Sequence, residues 1–128
     1  MTEETVATQV IANLVVTDRD GHVLFVRHDP DSEKWWLPGR DVEPYTHPDD
    51  TAGAVLADLT GLETVKPEFD HVESFRGRRG WHLVFHYRVR AKGRPVYDAL
   101  SQWYPAEDLP VTAHGGWEKA VVKKLTGG

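Results

Sequence analysis

Hydrophobic and polar positions alternate with the period of β-strands over much of this chain. Residues 10–17 and 22–28 are two such segments, and the Asp-Arg-Asp-Gly sequence at 18–21 between them has the residue types of a tight turn. We therefore predict a β-hairpin at this position. Residues 69–75 and 81–90 flank a second turn, rich in Arg and Gly, and predict another hairpin.

Two other segments carry the signals of helices. Pro48 suits the first helical position, and Asp49 and Asp50 would oppose the positive end of the helix dipole. Gly61 suits the left-handed residue just past a helix end, so we predict a helix over residues 48–59. Near the end of the chain, apolar residues at helical spacing predict a second helix: Trp117, Ala120, Val121 and Leu125.

The order of these elements predicts one α+β domain over residues 1–128, built as a mixed β-sheet sandwiched between helices. A chain of 128 residues has the length of an ordinary single domain and can bury a core of its own. Strands and turns follow one another without internal repeats or a low-complexity linker. We therefore expect any functional site to be built within this one domain.

Composition narrows the choice of partners. The formal net charge of −5 at pH 7 argues against general affinity for nucleic acid, which depends on clustered Lys and Arg. The chain has no cysteine, which excludes disulfides and thiolate chemistry. It shows no leader-like segment, and no apolar run reaches the length of a membrane span. We expect a cytoplasmic protein, monomeric or homodimeric, whose partner is a small molecule rather than nucleic acid or a membrane.

Residues 35–62 contain the most informative pattern in the chain. Leu37-Pro38-Gly39 is followed at fixed distances by Leu56 and by Gly61-Leu62. Counted from Arg40, these residues fall where the Nudix box has its Leu-Pro-Gly turn, its central aliphatic residue and its closing Gly-aliphatic pair. The segment is therefore similar to a Nudix box, whose signature includes Arg-Glu-aliphatic-x-Glu-Glu-x-Gly-aliphatic. Pro48 also keeps its expected place in this register.

The resemblance extends over most of the chain. An apolar hairpin precedes the box, and the aromatic, acidic and Leu-Pro residues at 102–104 and 107–110 resemble the segment found near the end of Nudix domains. This resemblance implies the Nudix fold, with helices on both sides of a mixed sheet. It also implies descent from hydrolases that cleave diphosphate linkages with magnesium.

Most of the acids that would hold this magnesium are replaced. The helical glutamates of the family fall at Val55, Asp58 and Leu59, and an earlier box glutamate falls at Thr46. Only Asp58 offers a ligand among the helical three, and its side chain is one methylene shorter than Glu. Asp58 is therefore either a residual metal ligand or a solvated surface acid. The apolar face that includes Val55 and Leu59 is either packed into a core or lines a pocket for a weakly charged ligand.

The second hairpin carries the remaining candidates for acid-base chemistry. Strand alternation places His82 and His86 on one face. If the turn pairs residue 75 with residue 81, Ser74 lies opposite His82 and Asp70 opposite His86, with residues 71 and 73 on the other face. This cluster would serve as ordinary strand polar groups, as substrate-binding or acid-base groups, or as a transition-metal site. We further expect His82 and His86 to project into the same cleft as Asp58 if they handle a ligand.

By analogy with the family, further pocket residues come from the strands and loops beside the box. Arg40 stands where the family has a bare glycine, and its guanidinium could bind a phosphate or carboxylate with two hydrogen bonds, or be a solvated surface group. The candidate substrate-binding residues are Asn13, Arg27, Trp36, Gly39, Arg40, His82 and His86.

Two classes of function remain open. The favoured one is a Nudix-fold protein that binds a small molecule in the old substrate cleft, or carries out an atypical reaction there, without ordinary magnesium-dependent pyrophosphohydrolysis. The alternative is a divergent hydrolase that cleaves a nucleoside-diphosphate-linked or other diphosphate molecule. That alternative requires Mg²⁺, held by Asp58 and a further acid such as Glu73, Asp98 or Glu107. Proton transfer by His82 and His86 without a metal is a third interpretation.

Overall fold

The computed structural model describes residues 8–59, 61–78, 80–95 and 99–127. In chain order its elements are β1 (Thr8–Thr17), β2 (His22–Val26), β3 (Gly39–Asp41), α1 (Pro48–Ala57), β4 (Leu62–Thr64), β5 (Glu68–Gly77), β6 (Gly80–Gly93), β7 (Ser101–Pro105) and α2 (Trp117–Thr126). Both predicted hairpins and both predicted helices are confirmed, although α1 ends slightly earlier than predicted. Within the described residues, no helix is long and apolar enough to cross a membrane.

The sheet is mixed because its two central strands run parallel while the other pairs are antiparallel. β1 and β6 pair in register from Thr8 opposite Trp81 to Thr17 opposite Arg90. The strand order is β4-β6-β1-β2-β7, with β3 paired to β1 and β5 paired to β6. The predicted mixed sheet is therefore confirmed.

One face of the sheet packs against α1. Because alternate residues of a strand point to opposite faces, Ala12, Leu14 and Val16 of β1 all point to the same side. They form a core cluster with two residues of β6 and three of the helix: Tyr87, Val89, Ala52, Val55 and Leu56. The apolar side of α1 is what holds this helix on the sheet.

The opposite face of the sheet packs against α2. Val15 of β1 and Phe25 of β2 point to this side. They form a second core cluster with apolar residues of the helix: Val121, Val122 and Leu125. The two helices therefore lie on opposite faces, as predicted, and neighbouring residues such as Asn13 and Leu14 are separated by the full thickness of the sheet.

The β5–β6 hairpin has a different register from the predicted one. The structure pairs Phe75 with His82 and Ser74 with Leu83, so the prediction that Ser74 lies opposite His82 is wrong. The physical reason is the turn. The ladder continues to Gly77 opposite Gly80, which makes the turn tighter than the Arg- and Gly-rich segment suggested.

Candidate functional site

The side chains at the positions where the resemblance would place helical glutamates are packed rather than exposed in a pocket. Val55 is 6% exposed and belongs to the core cluster beneath the helix. Leu59, just past the helix end, is half-buried against the same cluster. The interpretation of this face as packed core is confirmed. Aliphatic side chains in these positions offer no ligand to a metal ion.

Asp58 does not stand free at the end of α1. Its carboxylate accepts a hydrogen bond from Nη2 of Arg40 on β3 and forms an ion pair with that guanidinium. Both side chains are well exposed. Arg40 is the residue that the resemblance aligns with a glycine, and its guanidinium offsets the charge of Asp58. A metal ion at Asp58 would have to displace the guanidinium.

The first turn of α1 has a structural explanation of its own. The imidazole of His47 caps the helix by accepting a hydrogen bond from the backbone N–H of Asp49 at 3.0 Å. The Tyr87 hydroxyl donates to Asp49 Oδ1 at 2.5 Å. Burial and then the bond to Asp49 raise the pKa of Tyr87, so this hydroxyl stays a donor at neutral pH. Asp49 thereby ties the start of α1 to β6.

A polar network lies on the other face of the sheet, under α2. Asn13 and His86 are paired across the central strands and are both buried. Asn13 Nδ2 donates to His86 Nδ1 at 3.1 Å, so the ring proton is on Nε2, which donates to Glu73 Oε1 at 2.9 Å. The Trp117 indole also donates to Glu73, at 3.2 Å from each oxygen. Burial lowers the pKa of His86, although the bond to Glu73 opposes that shift, and a neutral ring fits this pattern of donors.

A β-bulge brings two more groups to this network. The ladder passes from Phe69 opposite Tyr87 to His71 opposite His86, which leaves Asp70 as the extra residue. His71 Nδ1 and Asp70 Oδ2 are 2.6 Å apart, and the His71 ring stacks on His86 with centroids 4.7 Å apart. The predicted pairing of Asp70 with His86 is therefore wrong. His71 and Glu73, which we expected on the other face, are the true neighbours of His86.

His82 and His86 do not share a cleft with Asp58, and that prediction is wrong. His86 contacts Trp117 of α2, with ring centroids 5.7 Å apart, whereas Asp58 belongs to the α1 side. The His82 ring stacks on Phe75 at 5.3 Å, and its Nδ1 lies 3.0 Å from the carbonyl oxygen of Gly80. The sheet separates His86 from the α1 face, so no joint metal or proton-transfer site can form there.

The other candidate residues are dispersed. Arg27 donates to the carbonyl oxygens of Ala99 and Ser32 at 2.8 and 3.0 Å, and its guanidinium lies 4.5 Å from the centroid of a Trp35 ring. Trp36 packs against His28, with ring centroids 4.6 Å apart. At Gly39 a Cβ would lie 2.7 Å from the Ala12 carbonyl oxygen, so glycine allows β3 to approach β1 closely. The structure thus joins the side chains of Asn13 and His86 and those of Arg40 and Asp58, and it pairs Gly39 with Asn13 through the backbone of β3 and β1.

A large cavity lies at the carboxyl ends of β1 and β6, beside the end of α2. Its volume is about 560 Å³. Apolar side chains of Val15, Val89 and Leu125 line it, together with four cationic residues, Arg19, Lys66, Arg88 and Arg90, of which Arg88 is paired with Glu68 and Asp70. The smaller cavity, of about 400 Å³, lies between β5 and α2 and is lined by His71, Glu73, Trp117 and Lys124 among others. Neither cavity includes Asp58 or Arg40.

The acids considered as additional metal ligands do not gather around Asp58. Glu73 lies under α2, across the sheet, and Glu107 is exposed in the turn after β7. Asp98 lies outside the described residues. Among those described, one group has donor atoms spaced for a cation, within 4.8 Å of one another: Asp18, Asp20 and His22. The sequence pattern of this segment indicated only a turn.

Asp18 already has a structural role, because its side chain stabilises that turn. Its Oδ1 accepts from the backbone N–H of Asp20 at 2.9 Å and of His22 at 2.8 Å. These bonds fix the β1–β2 connection without a metal ion. A cation held by Asp18, Asp20 and His22 would lie at this partly exposed turn, outside α1.

Comparison with known proteins shows which fold this architecture resembles. No protein-family model matches the sequence, and no curated protein does. Among solved structures, a UDP-X diphosphatase superposes with a TM-score of 0.73 at 15% identity, covering 98% of this chain and 66% of that one. A MutT protein from Bacillus halodurans gives 0.67 at 20% identity, covering 90% and 80%. The chain has a Nudix-like fold.

A third solved structure agrees with this assignment. A MutT Nudix hydrolase from Burkholderia pseudomallei superposes with a TM-score of 0.69 at 17% identity, covering 93% of this chain and 98% of that one. Superpositions at identities this low show the Nudix-like fold alone. Which chemistry the chain can support has to be argued from its own residues. The function of this Nudix-like chain therefore depends on what α1 and the two cavities can bind.

Proposed function

We propose that this chain binds a small anionic organic molecule and does not perform ordinary magnesium-dependent pyrophosphohydrolysis. One observation carries the proposal: on α1, Val55 and Leu59 are packed against the core, and Asp58 is paired with Arg40. The helix face on which the resemblance would place a magnesium site therefore has two aliphatic side chains and one carboxylate whose charge is offset by a guanidinium.

Magnesium chemistry explains why these replacements matter. The ion requires near-octahedral oxygen ligands, usually carboxylates with water and substrate phosphates. Asp58 alone supplies one carboxylate, and the guanidinium of Arg40 puts a positive charge where the ion would lie. Like charges at contact distance repel, so the pair disfavours a divalent cation. A diphosphate would then lack the metal that neutralises its charge during cleavage.

The larger cavity supports binding of an anion. The two acids that line it are already engaged, Asp18 by its own turn and Glu68 by a hydrogen bond of 2.6 Å from Arg88. In the part of the chain that the structure describes, no carboxylate forms an ion pair with Arg19, Lys66 or Arg90. The rim therefore has an excess of positive charge, which favours phosphate or carboxylate groups.

The apolar lining indicates that the anion has an organic body. Val65, which is 62% exposed, borders the cavity beside the buried floor of Val15 and Val89. A volume of about 560 Å³ falls in the range of small-molecule sites. One of the superposed structures is a UDP-X diphosphatase. Nucleoside diphosphates and their sugar derivatives are therefore suitable first probes.

A thermal-shift series with UDP, ADP and their sugar derivatives, with and without Mg²⁺, tests the proposal. A ligand that binds only the native state raises the unfolding free energy, by about 2.7 kcal/mol at a hundredfold excess over Kd. We expect a rise in Tm that does not require magnesium. The variant Lys66→Ala with Arg90→Ala should lose most of the rise, because it removes two of the cations of the rim.

The matched control is Lys119→Ala with Lys123→Ala, which removes the same charge from exposed positions of α2 outside the cavity. It should keep the shift. Product analysis by chromatography in the same samples distinguishes the alternative function. Magnesium-dependent cleavage of a diphosphate would contradict the proposal, as would a shift unchanged in the Lys66 and Arg90 variant.

A further inference from the structure

The smaller cavity, between β5 and α2, has the opposite chemistry to the larger one. We propose that it binds a small organic cation, an amine or guanidinium compound, through the Glu73 carboxylate and the Trp117 indole. This site is separate from the anion site of the proposed function. It rests on a half-buried carboxylate whose charge is balanced by no cation within ion-pair distance among the described residues.

The partners of Glu73 are neutral donors. His86 Nε2 donates at 2.9 Å and Trp117 Nε1 at 3.2 Å, and neither group brings a positive charge. Burial lowers the pKa of His86, which keeps its ring neutral. The Glu73 side chain is 34% exposed and lines the cavity, so its negative charge faces the space that a ligand would fill. A carboxylate in this setting is a strong acceptor for a charged donor.

His71 adds its ring to the lining of the same cavity. Its Nδ1 lies 2.6 Å from Asp70 Oδ2, which fixes the orientation of the ring. The bulge at Asp70 is what places His71 and Glu73 on this face of the sheet. Guanidinium and ammonium groups carry several donors, and the two oxygens of the Glu73 carboxylate are acceptors that match them.

The Trp117 indole and the fixed position of Glu73 complete the site. An indole attracts a cation that lies within about 6 Å of its ring face, and Trp is the best of the aromatic side chains for this contact. Two residues hold the carboxylate in place before any ligand arrives, so little side-chain entropy is lost on binding. A volume of about 400 Å³ suits a ligand of a few carbon atoms with one charged end.

Among the residues that the structure describes, Lys124 is the one Lys or Arg that lines this cavity. It lies beyond ion-pair distance of Glu73, so it does not neutralise that carboxylate. Its ammonium group would repel a second positive charge on the ligand. We therefore expect a monovalent cation to be preferred, and we expect removal of Lys124 to strengthen binding.

Nuclear magnetic resonance titration with butylguanidinium, followed at the Trp117 indole N–H, tests the site in the full chain. Butylurea is the matched uncharged probe of the same shape. We expect a saturable shift with butylguanidinium and none with butylurea. Glu73→Gln keeps an oxygen for the bonds from His86 and Trp117 and removes the charge, and it should weaken binding at least about tenfold. Glu107→Gln, at an exposed position outside both cavities, should leave affinity unchanged.

A second variant keeps the proposal falsifiable if Glu73→Gln is poorly folded. Lys124→Ala changes only an exposed residue of α2 and should tighten binding of butylguanidinium by about two- to fivefold. Absence of a saturable shift, equal affinity for butylurea, or unchanged affinity in both variants would overturn the cation site. Neither probe carries a phosphate or carboxylate, so failure here does not bear on the anion site.

Discussion

At the scale of single residues, the decisive pair is Arg40 and Asp58. The sequence predicted that Asp58 was the last candidate ligand of the helix and that Arg40 could bind a carboxylate or phosphate. It did not predict that the carboxylate is Asp58 itself. That contact depends on β3 lying beside the end of α1, which residue spacing does not encode. One interaction thus joins two residues at which the sequence differs from the Nudix pattern.

His86 should make the stability of the fold depend on pH. Its pKa in the folded state is lowered by burial, so the unfolded chain binds the proton more tightly. The unfolding free energy should therefore have its full value above about pH 6.5. It should fall by up to about 1.4 kcal/mol per pH unit as the pH drops below that value. Urea unfolding at a series of pH values measures this slope.

The variant His86→Gln should be less stable at pH 8 but should show a flatter dependence on pH. His28→Gln, at an exposed position, is the control and should keep the slope of the parent. A slope that is the same in the parent and in His86→Gln would show that His86 does not titrate as its burial requires.

At the scale of elements, hairpins and helices were predictable because local signals fix them. Turn residues at 18–21 and the capping pattern around Pro48 both gave correct elements. The register of the β5–β6 hairpin was not predictable, because a short turn and a bulge at Asp70 each shift the pairing by one residue. That shift exchanged Asp70 for His71 opposite His86 and brought Glu73 into the network.

Restoring acids to the α1 face should damage the fold rather than restore a metal site. In the variant Val55→Glu with Leu59→Glu, one carboxylate replaces a side chain that is 6% exposed and the other replaces a half-buried one. Burial of a carboxylate without a partner should lower the unfolding free energy by several kcal/mol, about 3 or more for the pair. Urea unfolding at neutral pH gives the value directly.

Ala54→Glu with Ala57→Glu is the control, since both alanines are exposed on the same helix. This variant should differ from the parent by no more than about 0.5 kcal/mol for each change. If the Val55 and Leu59 variant unfolds like the parent and hydrolyses a diphosphate with magnesium, the face is an accessible cleft and the packing described above is wrong.

At the scale of the whole molecule, the sheet divides the chain into two chemically distinct sides. The sequence predicted the fold class and the sandwich of helices, and it named Asn13 and His86 as candidate substrate-binding residues. It also predicted that His82 and His86 would share a cleft with Asp58 if they handle a ligand, because strand alternation gives the shared face of two residues but not which helix covers it. No residue of α1 lines either cavity, and neither cavity could be located from spacing alone.

The central proposal is that the α1 face does not bind magnesium, and a calorimetric titration with Mg²⁺ in the absence of ligand tests it most directly. With only Asp58 available and Arg40 bound to it, we predict no saturation up to about 10 mM Mg²⁺. Saturable one-site binding in the micromolar range, abolished by Asp58→Asn but retained in Asp20→Asn, would contradict the claim.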